Sequence, residues 1–372
     1  MDSGGTTEQR PSRLTRMRTS VGGFRQRHPR MLLAIVIVLL LLIATCGFYG
    51  WKLNSQLGNI DRFDTDSVKN RPDGNHTGAL NILLLGSDAG KQVNGEAADT
   101  DLAQDAEADE WPVGKYRSDT VMILHISEDR NSVHLVSIPR DSFVTLRNSS
   151  GEAEGKNKIN AAFSEWGPNG TLSTIEHLTD IRIDHIAIID WAGFKDLSTA
   201  VGGVPVTVPE DVYDSKQDKQ WDAGDYNLKG AEALQYVRMR YGLTRGDFDR
   251  IERQQNFLRA LMTKVLEAGT VYKPVKFNNT LEAITKNLTV DKDWENGDLR
   301  SLAVSLRGTK EDKVTFLTLP IGTEQTHPKY GSILKMNKSK SKELFTAMKN
   351  DRMGKYVDKY PGDVLGDEDS VG

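Results

Sequence analysis

An uncharged, almost wholly apolar run at residues 31–48 constrains this chain more than any other feature of its sequence. As a helix, the run would cover about 27 Å of hydrocarbon, which is enough to span a membrane. Seven arginines precede it, and no basic cluster follows it directly. The sequence therefore predicts a single-pass cell-membrane protein with a cytoplasmic N-terminus. A cleavable signal peptide is the alternative, but the run is longer than a usual signal core and no A-x-A site follows it.

Charge and cysteine content narrow the class of protein further. The 372-residue chain has a net charge of −4, and its first 30 residues hold seven arginines against two carboxylates, so the remainder is clearly acidic. An acidic body argues against nucleic acid as a partner. Cys46, the only cysteine, lies inside the apolar run, so no disulfide can form within the chain. The exported part must be stabilised by its core alone, which is typical of a bacterial wall-facing protein.

The distribution of apolar and polar residues predicts five segments. They are a basic cytoplasmic tail (1–30), a transmembrane helix (31–50), a polar stalk (51–78), an extracytoplasmic domain (79–320) and a C-terminal tail (321–372) whose last twenty residues are polar and loose. An acidic stretch at residues 90–115 interrupts the domain. We interpret it as a mobile surface loop, with a lid over a neighbouring site as the alternative.

Within the domain, apolar runs alternate with amphipathic segments. The predicted strands are 79–85, 120–126, 133–138, 184–190, 204–208 and 314–319. The predicted helices are 161–166, 171–179, one ending at the Gly202–Gly203 pair, 229–240, 249–267, 281–288 and 298–306. This alternation predicts an α/β fold with a mixed central sheet covered by helices on both faces.

Residues 231–255 contain five arginines and no lysine. A guanidinium grips phosphate through a planar fork, so the cluster suggests oxyanion recognition. A solvated helix face with i,i+4 ion pairs is the alternative. Asp247, Arg250 and Gln254 fall at i, i+3 and i+7 and share one helix face. Arg238 and Arg240 are only two apart, so a helix that frays near Tyr241 and Gly242 would let both enter one crevice.

Charged residues also mark the ends of three predicted strands, where ligands usually bind in α/β sheets. Asp88 and Asp119 could hold a hard cation such as magnesium together with phosphate oxygens. The alternative is that these aspartates are N-caps or turn residues; Arg117 and Arg140 beside them favour a site. The sequence contains no P-loop, G-x-G-x-x-G, H-E-x-x-H or G-x-S-x-G motif, and its histidines are not spaced as zinc ligands.

Six motifs in order resemble the LytR-CpsA-Psr family over residues 80–269. They are Gly86-Ser87-Asp88, Arg117-Ser118-Asp119-Thr120, Ile138-Pro139-Arg140-Asp141, Lys158-Ile159-Asn160-Ala161, Gly202-Gly203-Val204 and R-M-R-x(6)-D-x-D-R-x(2)-R-Q-Q from Arg238. The resemblance implies a magnesium-dependent phosphotransferase of the bacterial envelope. Such enzymes move a glycopolymer from a polyprenyl-pyrophosphate carrier to peptidoglycan, and pyrophosphatase activity is a possible accompaniment.

The resemblance also implies roles for individual residues. Asp88 and Asp119 match the family's metal-associated aspartates. The matched substrate contacts are Arg117, Arg140, Arg238, Arg240, Arg250 and Gln254, and the matched catalytic residues are Arg140, Arg238, Arg240 and Asp247. No general base is evident. A non-catalytic envelope module that binds polyprenyl phosphates or wall glycans is the alternative function.

Overall fold

Most of the apolar runs that predict strands pair in one seven-stranded sheet. The computed structural model describes residues 55–89, 102–108, 110–239, 241–243, 245–266, 274–306, 309 and 311–366. Its strands are β1 (Asp61–Phe63), β2 (Leu80–Ala89), β3 (Tyr116–Ile126), β4 (Val133–Ile138), β5 (Phe143–Arg147), β6 (Ala153–Lys158), β7 (His185–Asp190), β8 (Val204–Val208), β9 (Val212–Asp214), β10 (Lys219–Trp221), β11 (Gly224–Leu228), β12 (Leu288–Asp291), β13 (Val314–Thr318), β14 (Ile321–His327) and β15 (Gly331–Met336). The sheet order is β1-β12-β7-β2-β3-β4-β13.

The sheet is mixed, as predicted. Strand β2 pairs antiparallel with β3 and parallel with β7, while β13 pairs parallel with β4. The helices are α1 (Leu102–Glu107), α2 (Asn160–Thr179), α3 (Trp191–Ala200), α4 (Gly230–Arg238), α5 (Asp247–Leu266), α6 (Pro274–Lys286), α7 (Asn296–Ser305), α8 (Lys338–Lys349) and α9 (Met353–Lys359). Within the described residues, no helix has both the length and the apolar character that a membrane span requires. The predicted transmembrane helix lies outside them and stays a prediction.

Helices cover both faces of the sheet, because successive side chains of a strand point to opposite sides. Leu83 and Leu85 of β2 share a core with helices α2, α8 and α9. Ile82 of β2 and Met122 of β3 belong to a second core, which helices α5, α6 and α7 cover. A third core lies under helices α3, α4 and α5 and includes the fully buried Trp221. Helix α5 therefore packs in two cores through residues of its second half, which fixes the position of the helix.

The predicted stalk is wrong for the residues that the structure describes. Leu57, Ile60, Phe63 and Val68 are buried, and β1 extends the sheet by pairing with β12. The compact unit starts at Gln56 rather than at residue 79. The apolar residues of this segment are widely spaced, which is typical of a polar linker, yet these four fill core positions.

The predicted C-terminal tail is also wrong as far as residue 366. Strands β14 and β15 form a hairpin, and helices α8 and α9 bury Leu344, Met348, Met353 and Tyr356 against the sheet. These apolar residues recur at helical spacing among many lysines, so the segment is polar in composition but amphipathic in pattern. The folded domain therefore continues well past residue 320.

The predicted break between the helices 161–166 and 171–179 is confirmed, because Gly167 (φ 64°, ψ −156°) is non-helical inside α2 and is followed by Pro168. One helix prediction needs correction. The segment 281–288 belongs to a helix that begins at Pro274 and ends at Lys286, and Leu288 starts strand β12 instead. The described part of the acidic stretch is not a loose loop, because α1 buries Ala103 and Trp111 packs on Tyr116 and Phe163.

A buried histidine pair predicts acid sensitivity. Burial, and secondarily His125 nearby, lowers the pKa of His134 to about 4, and the two rings lie 6.2 Å apart. Between pH 6.5 and 4, the unfolded chain binds a proton that folded His134 does not, so stability falls as pH falls through this window. We expect His134→Gln to remove about 2 kcal/mol of the stability difference between pH 7 and pH 5. Urea unfolding of both proteins at pH 7 and pH 5 measures these free energies of unfolding. An equal loss of stability between the two pH values in the parent protein and in the variant would contradict the prediction.

Candidate active site

A β-bulge at the end of strand β3 brings Asp119 to the candidate site. Gly86 pairs with Thr120, whereas the next residue, Ser87, pairs with Ser118, so Asp119 is an extra residue on β3. In a regular strand, residues an odd number of positions apart point to opposite faces of the sheet. Tyr116 and Val121 are five residues apart and nevertheless share one core, because the extra residue at the bulge shifts the alternation of faces. A Cβ on Gly86 would lie 3.0 Å from Thr120 Cβ, a tight contact, so glycine eases the close approach of the two strands at the bulge.

Arg140 is held at the end of β4 by carboxylates on two sides. Its Nη1 atom donates a 2.6 Å hydrogen bond to Asp119 Oδ1, and its Nε atom lies 3.9 Å from Asp141 Oδ2. Lys158 Nζ pairs with the other oxygen of Asp141 at 3.0 Å. The strand-end motifs around Asp119, Arg140 and Lys158 therefore form one charged network.

Helices α4 and α5 supply the opposite wall of the site. Helix α4 ends at Arg238, so the helix does stop before Tyr241, as the sequence predicted. Gly242 has a positive φ of 83°. A Cβ on Gly242 would lie 2.5 Å from Tyr213 O, so glycine is required where the chain turns back. On α5, Gln254 Nε2 donates to Val237 O at 3.2 Å, and Gln254 Oε1 accepts from Thr120 Oγ1 at 3.4 Å. Gln254 thus ties both helices to the bulged strand.

These elements enclose a cavity of about 270 Å³ at the end of the sheet. Five predicted site residues line it, and they come from four different elements: Asp119, Arg140, Arg238, Arg250 and Gln254. Arg250 is almost fully buried. Three guanidinium groups around one cavity can bind a doubly charged oxyanion such as pyrophosphate through several charge-assisted hydrogen bonds.

Of the other predicted site residues, one does not line the cavity and three fall outside the part of the structure that is described. Arg117 pairs with Asp88 in the β2–β3 ladder, and its exposed side chain is not among the described residues that line the cavity. Arg240 and the side chains of Asp88 and Asp247 lie outside the described residues. Their predicted roles stay predictions.

The cavity also has lining residues that the sequence reasoning missed: Trp191, Asp214, Lys216, Gln217 and Tyr241. Trp191 directly follows strand β7, so the expectation that ligands bind at strand ends could have identified it. Asp214, Lys216 and Gln217 come from the β9–β10 hairpin, whose two three-residue strands were not among the predicted strands and which reaches the cavity only through the tertiary fold. Asp214 accepts hydrogen bonds from the Lys216 and Gln217 amides at 2.9 and 3.1 Å.

The remaining arginines of the cluster support the backbone around the site. Arg245 Nε donates to Asp249 Oδ1 at 2.6 Å, and Asp249 also accepts from the Arg245 amide at 2.7 Å. Arg253 is buried; its guanidinium lies 5.2 Å from the Tyr236 ring and contacts Met239 Sδ at 2.8 Å. Burial lowers the pKa of Arg253 and raises that of Tyr236. The structure therefore separates cavity arginines from supporting ones.

Of the two predicted magnesium ligands, Asp119 has a described side chain and Asp88 does not. Asp119 lines the cavity, and its second oxygen, Oδ2, accepts no hydrogen bond from the described residues. No group of three or more histidine, cysteine, aspartate or glutamate residues with metal-binding geometry occurs in the part of the chain that the structure describes. Magnesium uses one or two carboxylates together with phosphate oxygens and water, so Asp119 could be one ligand, and the magnesium requirement stays a prediction.

Fold and cavity together define a class of protein: an α/β domain with an arginine-lined cleft at the end of its sheet. The chain belongs to the LytR_cpsA_psr family, whose model matches residues 50–350. This match confirms the resemblance that the six sequence motifs indicated.

Individual relatives agree with this assignment. The chain is 30% identical over 339 residues to the Cell wall biosynthesis protein LcpA of Corynebacterium glutamicum, covering 82% of this chain and 62% of LcpA. It is 39% identical over 166 residues to the Polyisoprenyl-teichoic acid–peptidoglycan teichoic acid transferase TagV of Bacillus subtilis, covering 43% of this chain and 41% of TagV. The crystal structure of B. subtilis TagV has a TM-score of 0.58 and 25% identity, covering 74% of this chain and 98% of that one. The chain thus spans less than two thirds of the length of both curated relatives.

Trp191 should strengthen oxyanion binding by positioning Arg238. The Arg238 guanidinium lies 5.3 Å from the Trp191 ring, a cation–π contact that restrains an otherwise exposed side chain. We expect Trp191→Leu to weaken binding of inorganic pyrophosphate about three- to tenfold. Phe194→Leu removes a neighbouring aromatic ring that does not line the cavity and is the control. Isothermal titration calorimetry measures both affinities, and equal values would contradict the positioning role.

Proposed function

We propose that this protein is a membrane-anchored, extracytoplasmic phosphotransferase that moves a glycopolymer from a polyprenyl-pyrophosphate carrier to peptidoglycan. One observation carries the proposal: Arg140, Arg238 and Arg250 converge with Asp119 on a single cavity. The relative TagV is named a polyisoprenyl-teichoic acid–peptidoglycan teichoic acid transferase, which supports the same substrate classes.

The chemistry follows from what the cavity arginines can do. A hydroxyl of the peptidoglycan acceptor attacks the sugar-proximal phosphorus, a new oxygen–phosphorus bond forms, and the bond to the bridging oxygen breaks. The polyprenyl phosphate leaves with the electron pair, and the hydroxyl proton is released. Guanidinium groups held at fixed positions neutralise charge on the transferred phosphoryl group and on the leaving phosphate. With water in place of the acceptor, the same displacement gives pyrophosphatase activity.

Magnesium, held by Asp119 and by the predicted ligand Asp88, would supply further neutralisation of the pyrophosphate oxygens. The protein's own contribution is orientation. Asp119 fixes the Arg140 guanidinium through the 2.6 Å hydrogen bond, and Gln254 joins the bulged strand to helix α5. The two walls of the cavity are therefore preorganised before substrate binds.

Location of the active domain outside the cell follows from the proposed anchor. Residues 31–48 would span the cytoplasmic membrane, with the arginine-rich tail inside. This arrangement would place the cavity on the side of the membrane where peptidoglycan lies and near a lipid-borne donor.

The test is a product assay with the full-length protein in mild detergent. A polyprenyl-pyrophosphate-linked saccharide, isolated peptidoglycan and magnesium should give a phosphodiester-linked product and free polyprenyl phosphate. The competing hypothesis, a non-catalytic envelope module, predicts that the donor binds but that no product forms. Omission of peptidoglycan should leave only slow release of polyprenyl phosphate, and a donor that binds without ever being cleaved would refute the transferase.

A further inference from the structure

The opening of the arginine-lined cavity can be located from the exposure of its lining residues. Asp214 and Arg250 line the cavity and are buried, with 1% and 5% of their surfaces exposed. Lys216, Arg238 and Tyr241 line the same cavity and are exposed. A residue that lines a cavity and also contacts solvent lies where the cavity opens. These three residues therefore define the mouth of the cavity.

The cavity is too small to enclose a polymer. Its volume of about 270 Å³ is below the roughly 300–1,000 Å³ of pockets that enclose a drug-sized ligand. Under the proposed function, on which this inference rests, the cavity arginines bind a pyrophosphate that joins a saccharide to a polyprenyl chain. The saccharide must leave the cavity through an opening, so its first unit contacts the residues at that opening.

The chemistry of the mouth favours the saccharide over the polyprenyl chain. Lys216 and Arg238 are cationic, and Gln217, which also lines the cavity, comes from the same hairpin tip as Lys216. A hydrocarbon chain laid over such groups removes them from water without offering a hydrogen bond, which costs free energy. Sugar and phosphate oxygens accept hydrogen bonds from all three side chains. The saccharide end of the donor is therefore the part that suits this opening.

Tyr241 provides an aromatic surface that the fold itself does not use. It is 46% exposed, and its side chain forms no hydrogen bond or ring contact with the described residues. Trp191, the other aromatic residue among those described at the cavity, has the Arg238 guanidinium 5.3 Å from its ring. A sugar ring has an apolar C–H face and polar edges, which match the apolar ring and the hydroxyl of a tyrosine. Tyr241 can therefore stack on a saccharide unit at the mouth.

Lys216 lies on a hairpin tip that is tied to helix α4. Asp214 Oδ1 accepts from the Lys216 amide at 2.9 Å, and Asp214 Oδ2 accepts from Gln217 Nε2 at 3.0 Å. Gln217 Nε2 also donates to Gln235 O, in helix α4, at 3.0 Å. The Lys216 side chain forms no ion pair with the residues that the structure describes. Its ammonium group is therefore available to a ligand at a defined place on the mouth.

The turn that carries Tyr241 rests on the same hairpin. Gly242 follows Tyr241 directly, and a Cβ on Gly242 would lie 2.5 Å from Tyr213 O, in strand β9. The hairpin thus contacts helix α4 through Gln217 and the turn after that helix through Tyr213. These two contacts fix Lys216 and Tyr241 on one side of the cavity before a ligand binds.

We propose that Tyr241 and Lys216 form the binding site for the first saccharide unit of the donor, the unit joined directly to the pyrophosphate. We call these two residues the saccharide site. Tyr241 stacks on the face of the sugar ring, and the Lys216 ammonium group donates to its hydroxyl oxygens. The arginines bind the pyrophosphate whatever it carries. The saccharide site therefore determines how strongly a glycosylated donor is preferred over a bare prenyl pyrophosphate.

The test compares two donor analogues that cannot be cleaved, with the full-length protein in mild detergent. Both are prenyl methylenediphosphonates, in which a CH₂ group replaces the bridging oxygen, and one carries a single N-acetylglucosamine on its terminal phosphonate. Isothermal titration calorimetry should show that the parent protein binds the glycosylated analogue about tenfold more tightly. Tyr241→Ala should remove most of this preference and change the affinity for the bare analogue by less than about twofold.

Three further variants control for the ring and the charge. Tyr213→Ala is the matched control and should keep the full preference, because Tyr213 is 49% exposed on the neighbouring hairpin but does not line the cavity. Tyr241→Phe keeps the ring and should keep most of the preference. Lys216→Met keeps the apolar stem without the ammonium group, and it should lower the preference about threefold.

Equal affinities of the parent protein for the two analogues would overturn the inference. So would a Tyr241→Ala protein that keeps the parent's preference, or a Lys216→Met protein that loses the same factor for both analogues, which would place Lys216 on the pyrophosphate.

Cleavage of the corresponding oxygen-bridged donor separates this failure from failure of the proposed function. If Arg140→Ala abolishes release of prenyl phosphate while Tyr241→Ala keeps the parent's preference, only the saccharide site is refuted. A parent protein that prefers the glycosylated analogue but never cleaves the oxygen-bridged donor supports the saccharide site and refutes the phosphotransferase.

Discussion

Arg140→Ala should lower the rate of polymer transfer about a thousandfold. The Arg140 guanidinium lines the cavity and is fixed by Asp119, so it can meet charge that develops on the transferred phosphoryl group without rearrangement. Arginines in this role contribute factors of about 10³ or more to phosphoryl transfer. Removing Arg140 also leaves Asp119 facing the pyrophosphate without its cationic partner, which adds repulsion to the lost attraction.

Arg140→Lys separates geometry from charge. Lysine keeps the positive charge but lacks the planar fork, so we expect a loss that is smaller than that of alanine but still large. Release of labelled polyprenyl phosphate over time measures all three proteins. Arg352→Ala, at an exposed arginine outside the cavity, is the control and should behave as the parent protein does. An Arg140→Ala protein that keeps more than a tenth of the parent rate would exclude Arg140 from the reaction.

Arg71→Met should cost the domain about 3–5 kcal/mol of unfolding free energy. Glu176, in helix α2, is fully buried. Arg71 Nε donates to Glu176 Oε2 at 2.9 Å and its Nη2 donates to Glu176 Oε1 at 2.8 Å and to Ile183 O at 2.7 Å. Methionine keeps the apolar stem of the side chain but leaves a buried carboxylate without a cation. This arginine lies in the segment that the sequence presented as a stalk.

Chemical denaturation of the full-length protein measures the effect. Arg71→Met/Glu176→Gln, which removes both charges, should be more stable than Arg71→Met alone because no unpaired charge stays buried. Lys292→Met removes an exposed partner of Asp64 and should change stability by less than about 1 kcal/mol. If Arg71→Met unfolds within 1 kcal/mol of the parent protein, residues 64–71 are not part of the cooperative unit.

Local pattern explains why much of the fold was predictable. The sequence predicts β4 with its observed bounds because both of its faces are buried, and such a strand is mostly apolar. Strands β2 and β3 each extend four residues beyond the prediction at the end near the site, where several of their residues are polar or charged. Strands β1 and β12 were missed because they are three and four residues long and carry charged residues. Helices α8 and α9 were missed because lysines obscure their buried stripe, although Leu344 and Met348 keep helical spacing.

The candidate site shows the same division. Charged residues at strand ends and an all-arginine cluster pointed to Asp119, Arg140, Arg238, Arg250 and Gln254, since none of these is needed by a core at that position. Trp191 and the β9–β10 hairpin reach the cavity through packing between elements that are far apart in sequence. A local sequence pattern does not predict such contacts. The bulge at Asp119 could not be predicted from the sequence either, because a one-residue shift is defined only by the pairing register of both strands.

The sequence by itself determined the family, the α/β class and half of the described residues that line the cleft, because motifs and periodicity are properties of consecutive residues. Only the tertiary structure decided that the β9–β10 hairpin lines the cavity and that residues 56–78 and 321–366 belong to the folded domain. It also brought Lys216 and Tyr241 to the mouth of that cavity. The physical reason is that burial and convergence depend on neighbours in space, which a linear pattern does not contain.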